Sequence, residues 1–196
     1  MSHGHGHGIV EGANKKIAIL ISVLALFLAI AETLGKSAQT EGISSNVEAS
    51  NLWAFYQAKT IRKTTMETAA EQMEVDVQLA RDSAVKELLE KRVREWRERA
   101  ARYESEPKPD NKGEGRKELM ARALQAEARR DLAMAKYHSF EFGSAAFQIA
   151  IVLASSYLIT GVLYLLWGAG ALGAVGVLFT LAGMFATNAL HLLGIH

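Results

Sequence analysis

Few side chains in this sequence have the types and spacing that chemistry requires. His3, His5 and His7 alternate with glycine and could chelate a transition metal, because neutral imidazole is a common metal ligand. Glycines between the ligands would make such a site weak, so a flexible tail or cloning remnant over residues 1–16 is the preferred interpretation. No other metal site and no cofactor is predicted.

One acid, Glu32, lies inside an apolar run of the sequence. A carboxylate within a membrane span is by default a functional hypothesis, because burying its charge in lipid is costly. The favoured alternative is an ion pair with Lys36, one helical turn later, at the end of the span.

Polar side chains also occur in the apolar run at the other end of the chain. They fall roughly on one side of a helix, and they predict either a hydrated pathway or hydrogen bonds between helices. Packing is the commoner explanation, and nearby glycines indicate close helix approach. The polar residues are Thr180, Thr187, Asn188 and His191, and the glycines that the packing interpretation adds are Gly173 and Gly176.

Catalytic patterns are missing from the sequence. It has no cysteine, which excludes disulfides, thiolate nucleophiles and cysteine metal sites. It also has no P-loop, no dinucleotide-binding fingerprint, no His-Glu-x-x-His and no nucleophile elbow. We therefore predict a protein that is not an enzyme and has no small-molecule substrate that the sequence identifies.

The elements that position these residues are apolar helices. No Lys, Arg, Asp or Glu occurs from 144 to 193, whereas 20 of the 22 Lys and Arg residues lie between Lys36 and Lys136. A span needs about 20 apolar residues, so the sequence predicts an all-α membrane protein with three transmembrane helices. The expected spans are 17–34, 144–167 and, within 168–196, a third that follows a turn at Gly168–Gly173.

The segment 35–63 is predicted to lie at the membrane surface. Gly35 and Gly42 predict a break or a bend in the helix, and Ser45 is a candidate N-cap. Aromatic and basic side chains then occur together, a pattern typical of the headgroup region. Nucleic-acid binding is the weaker alternative, and we predict no nucleic-acid partner. The expected interfacial residues are Glu32, Lys36, Trp53, Tyr56, Lys59 and Arg62.

The charged block 64–143 is predicted to be a long, coiled-coil-like helical hairpin between the first and second spans. Apolar residues recur at helical spacing from Thr64 to Tyr103, with a phase slip near Val85–Leu88 that indicates a local change in supercoiling. The only two prolines lie in the loop Pro107–Gly115, which is expected to be the tip of the hairpin.

The stretch from Glu32 to Lys63, ETLGKSAQTEGISSNVEASNLWAFYQAKTIRK, resembles a bacterial membrane-protein family known only as a domain of unknown function. The resemblance covers nearly the whole chain. It implies an N-terminal span, a charged helical middle and a C-terminal apolar pair, and it implies no activity.

These features predict a homo-oligomeric scaffold or assembly protein in the bacterial inner membrane, with the lipid bilayer as its other partner. The alternative is a subunit of an oligomeric channel or transporter. Lys36, Arg129, Arg130 and Lys136 at the ends of the middle outnumber Lys15 and Lys16, which favours a cytoplasmic middle.

Overall fold

The protein is all-helical, as the sequence predicts. The computed structural model describes residues 7–108 and 113–186, and no strand occurs in these ranges. The final helix is followed directly by one π-helical turn. The helices are α1 (His7–Leu79), α2 (Ser83–Glu104), α3 (Arg116–Thr160) and α4 (Leu163–Leu181), and the π-helical turn is Ala182–Ala186.

Helix α1 has no break, so the interruption predicted at Gly35–Gly42 is wrong. Both glycines are buried because another helix packs closely against them. A Cβ on Gly42 would come 2.9 Å from the sulfur of Met134, and one on Gly35 would come 3.3 Å from Cβ of Phe140. Ser45 is likewise not an N-cap but a buried residue in the middle of α1.

A single stripe of buried or half-buried positions, here called the seam, runs along α1 without interruption. Positions spaced alternately by four and three residues are buried or half-buried from Ile17 to Val77 without exception. This 3.5-residue period keeps one stripe of the helix against its neighbours and is the pattern of a left-handed supercoil. The seam is Ile17, Ile21, Leu24, Leu28, Ala31, Gly35, Ala38, Gly42, Ser45, Ala49, Leu52, Tyr56, Lys59, Lys63, Met66, Ala70, Met73 and Val77.

The chain reverses at Ala80–Asp82, not at the proline loop, so the predicted hairpin tip at Pro107–Gly115 is wrong. The side chain of Asp82 accepts a hydrogen bond from the amide of Ala84 at 2.8 Å and caps α2. Pairs between α1 and α2 show that the two helices are antiparallel: Lys63 with Glu104 and Glu74 with Arg97. The predicted single helix from Thr64 to Tyr103 is therefore two helices.

Helix α3 also runs opposite to α1, so the segment after Glu104 joins two helices of the same direction. The C-terminal end of α3 lies earlier than predicted. Gly161 has φ of +70°, and the chain turns at Gly161–Val162 instead of at Gly168–Gly173. A left-handed φ favours glycine because it has no Cβ to clash. Gly168 and Gly173 are inside α4.

The contacts divide the chain into two units. The apolar unit consists of the described parts of Met1–Ile43 and Arg130–His196, and the charged unit is Ser44–Arg129. Helices α1 and α3 contribute residues to both units.

Candidate functional site

The apolar unit is a bundle of α1, α3 and α4 that packs aromatic rings onto glycines. The ring of Phe147 is fully buried and stacks on Phe27, with 5.9 Å between the ring centroids. A Cβ on Gly176 would lie 2.7–2.9 Å from three ring atoms of Phe147, and one on Gly173 would lie 2.9 Å from Leu24. Both glycines therefore make close contacts within a single copy of the chain.

Thr180, one of the predicted polar packing or pore residues, is buried on α4. Its hydroxyl donates a hydrogen bond of 2.8 Å to the carbonyl of Gly176, one turn earlier. A Cβ on Gly143 of α3 would meet that hydroxyl oxygen at 2.8 Å, so the two helices touch here. Thr187, Asn188 and His191 lie outside the described residues.

Glu32 accepts a hydrogen bond of 3.2 Å from the side-chain amide of Gln148 on α3. The structure does not pair it with Lys36 in the part of the chain that it describes. Glu32 and Lys36 line a shallow groove of about 260 Å³, together with Tyr137 and Glu141 of α3. One amide in an apolar run identifies no partner by itself, so the sequence does not indicate a role for Gln148.

The charged unit contains a polar junction where three helices meet. Arg116, the first residue of α3, donates to Glu104 of α2 at 2.8 Å and to the hydroxyl of Tyr56 on α1 at 2.9 Å. Its guanidinium lies 4.9 Å from the centre of the Tyr56 ring, a cation–π geometry. A planar guanidinium suits such a junction because it donates in several fixed directions.

Glu104 also accepts from Lys63 at 2.9 Å, and this bond lowers the pKa of the Glu104 carboxyl and raises the pKa of the Lys63 ammonium. Nearby, burial raises the pKa of Glu118, but hydrogen bonds outweigh it and leave that pKa below its ordinary value. The strongest of these bonds comes from the hydroxyl of Ser105 at 2.6 Å. These acids are held ionised by structural bonds, and none is poised as a general acid.

The predicted interfacial residues of α1 lie in the charged unit, apart from Glu32 and Lys36. The indole nitrogen of Trp53 donates to Glu127 of α3 at 2.9 Å, and its ring meets Tyr56 edge-on. The ammonium of Lys59 lies 5.3 Å from the centre of the Tyr103 ring, while Arg62 is exposed. Trp53 and Tyr56 pack against the core cluster Ala49, Leu52, Leu119, Ala123 and Ala126.

No group of three or more metal-ligating side chains forms among the described residues. His3 and His5 lie outside that part of the chain, and His7 is the first residue of α1.

Geometry and composition define an all-helical protein with helices suited to a membrane. Three of its helices are long and apolar enough to cross one: Lys15–Leu79 within α1, Arg116–Thr160, and Leu163–Phe185. The chain belongs to the family described as "Domain of unknown function (DUF4337)", whose model matches residues 13–186. This confirms the family resemblance. No curated protein and no solved structure matches the chain.

Proposed function

We propose that the protein is a three-span membrane protein that displays the charged unit on one side of the bilayer as a homo-oligomeric scaffold. The main support for the membrane part of this proposal is that the apolar stretches of α1 and α3 are as long as a bilayer core is thick. On α1 the apolar stretch between Lys16 and Lys36, and on α3 the stretch between Glu141 and Gly161, each measure about 30 Å at 1.5 Å per residue. A bilayer core has the same thickness.

The length and contacts of α4 support a bilayer at the same position along these helices. From Leu163 to Gly183 it also covers about 30 Å, and a Cβ on Gly183 would meet the Phe140 ring at 2.8 Å, next to Glu141. Near the α3–α4 turn, Tyr164 and Trp167 are 84% and 72% exposed. Aromatic side chains with polar edges prefer the membrane–water interface, which puts the turn at one face of the bilayer.

The scaffold role is supported by the use of polar groups in the charged unit. Lys63 and Arg116 both bond Glu104 across helices, so these charged groups hold the fold together. The same unit exposes large apolar side chains, which typically mark surfaces for other proteins. Among them are Val47, Phe55, Ile61, Val75, Leu79, Leu88 and Leu124.

A channel is the second candidate, and no described contact favours it. The hydroxyls of Thr180, Ser155 and Thr160 all donate to carbonyls of their own helices. Such bonds satisfy hydroxyls in lipid and need no water-filled route. Ion flux through reconstituted protein that changes with Thr187 and Asn188 substitutions would favour the channel.

The orientation that we propose places the charged unit in the cytoplasm of a bacterium, because basic residues near its ends outnumber Lys15 and Lys16 at the start of the first span. The chain has no cysteine, so single cysteines report cleanly. Lys108→Cys should resist an impermeant maleimide in intact cells and react after permeabilisation, while Asn14→Cys should show the opposite. The reverse labelling pattern would invert the topology. Release of the wild type from membranes by alkaline carbonate would refute the three spans.

A further inference from the structure

The antiparallel pair of α1 and α2 in the charged unit has a groove on one flank. It measures about 430 Å³ and has a floor of small side chains, Ala70, Ala100 and Ala101. Its rim includes Glu67, Glu71 and Glu104, against Lys63 and Arg97. Glu74, which pairs with Arg97, adds a further acid beside it. With Arg116, which bonds Glu104, the groove and its edge hold four acids against three basic side chains, a net charge of −1.

The other flank of the same helix pair is a ridge of large side chains. On α2, Arg92, Trp96, Arg99 and Tyr103 recur at intervals of four, three and four, which places them on one side of the helix. The α1 residues on this flank include Met66 and Met73, both half-buried. The basic members of the ridge are Arg62, Arg92 and Arg99, all exposed, with Asp76 as the nearby acid.

The two flanks differ in charge because Glu67 and Glu71 of α1 line the groove, whereas Arg92 and Arg99 of α2 lie on the ridge. Between Lys63 and Arg81, α1 has four acids and no basic residue, whereas α2 has seven Lys and Arg residues against five acids. Only part of this is neutralised within one copy. In the described part of the chain, Glu71, Arg92 and Arg99 have no ion-pair partner.

We propose that the ridge of one copy docks into the groove of a second copy of this chain. Charge and shape both match: a basic, aromatic and methionine-rich ridge meets an acidic groove with an alanine floor. Arg, Met, Trp and Tyr are the residue types enriched in protein interfaces. A contact between two ridges or between two grooves would instead bring like charges together, which is costly.

This inference rests on the proposed membrane function, because embedding gives every copy the same orientation. A contact between two different faces then repeats around an axis along the membrane normal. Such a contact builds a ring of three or more copies where the rotation closes and an open array where it does not, and in neither case a two-fold dimer.

Cysteine crosslinking distinguishes the ring from a two-fold dimer. We expect the Glu71→Cys/Arg92→Cys double variant in membranes to give a ladder of crosslinked species with a short bismaleimide. Glu71→Cys alone and Arg92→Cys alone should stay uncrosslinked, while co-expression of the two single variants should give a dimer. Dimers from Arg92→Cys alone would overturn the proposal.

Charge reversal gives a second readout. Arg92→Glu/Arg99→Glu should weaken self-association at least about ten-fold, and Glu71→Arg should restore part of it. Lys91→Glu/Arg102→Glu is the matched control, since it reverses two exposed charges on the outer side of α2. Native mass spectrometry distinguishes a failure of the ridge–groove contact from a failure of the scaffold proposal. An oligomer that does not respond to any of these variants refutes the ridge and groove alone, and a wild type that is monomeric throughout refutes the scaffold as well.

Discussion

Alanine substitution at Gly176 tests whether the glycines of α4 serve packing within one chain. A Cβ there would lie 2.7, 2.8 and 2.9 Å from three atoms of the Phe147 ring, distances that real Cβ atoms do not show. The ring cannot swing away, because it is fully buried and stacked on Phe27. Something in the bundle must shift, and overpacking of this kind costs about 1–3 kcal/mol.

Gly170 is the matched control on the same helix, since a Cβ there meets nothing within 4 Å. Replacing an interior helical glycine by alanine stabilises a helix by about 1 kcal/mol, and this gain applies at both sites. The difference between Gly176→Ala and Gly170→Ala is thus the overpacking cost alone. With a trapped ring, we expect about 2–3 kcal/mol, or roughly 30- to 150-fold in the unfolding equilibrium.

Reversible unfolding in mixed micelles, followed by circular dichroism at one protein concentration, measures this difference. The concentration is fixed because an oligomer unfolds with a concentration-dependent midpoint. Phe147→Leu should restore part of the loss in the Gly176→Ala background, a coupling that a double-mutant cycle isolates. Equal stability of Gly176→Ala and Gly170→Ala would refute the packing that we describe.

Three further predictions concern turns and ion pairs. Gly161→Ala should cost about 1–2 kcal/mol in the same unfolding assay because φ is +70°, while Gly161→Asn should cost less. Equal costs would contradict the left-handed turn. Arg116→Lys should destabilise the protein by about 1–3 kcal/mol, because an ammonium cannot bond Glu104 and Tyr56 with the same fixed geometry. A neutral result in thermal unfolding would contradict the junction. The lowered pKa of Glu104 predicts a contribution to stability that is present above the ordinary pKa of 4.5 and is lost as pH falls through the folded value. Glu104→Gln should therefore flatten the loss of stability in acid, and an unchanged profile would exclude this pair as its cause.

The composition predicts the apolar helices, because a long run without charged residues is typical of helices that can span a membrane. It did not predict their ends. The turn at Gly161–Val162 depends on one left-handed residue, and several other glycines nearby are equally good candidates in the sequence. The sequence favours Gly168 and Gly173 because they cluster, but their backbones are helical and Gly173 packs on Leu24.

The predicted position of the hairpin tip is wrong for a related reason. The phase slip near Val85–Leu88 falls inside α2, just after the reversal at Ala80–Asp82, so the change in supercoiling that it predicts within one helix is wrong. Asp82, which caps α2, carried a local signal for a helix start that could have located the turn. The prolines favour a hairpin tip in the wrong loop. A proline-rich loop indicates that a helix ends, but it does not indicate the direction of the next helix.

The junction of Arg116, Glu104 and Tyr56 could not be read from sequence, because its members are 12 and 60 residues apart. Only the antiparallel course of α2 and α3 along α1 brings them together. The interfacial prediction for Trp53 and Tyr56 rests on aromatic side chains beside basic ones, a pattern that does not identify their bonds to Glu127 and Arg116.

The unbroken α1 reflects a balance between helix propensity and packing. Gly35 and Gly42 each cost a helix about 1 kcal/mol relative to alanine, which is why they predicted a break. Close packing of large side chains against the two glycines offsets this cost, because each such contact adds dispersion attraction. Phe140 and Met134 fill the space that the two glycines leave. Because both glycines lie on the same 3.5-residue seam, their absent side chains bring α3 nearer without interrupting the helix. The same residues that weaken α1 alone therefore stabilise it once α3 is in place.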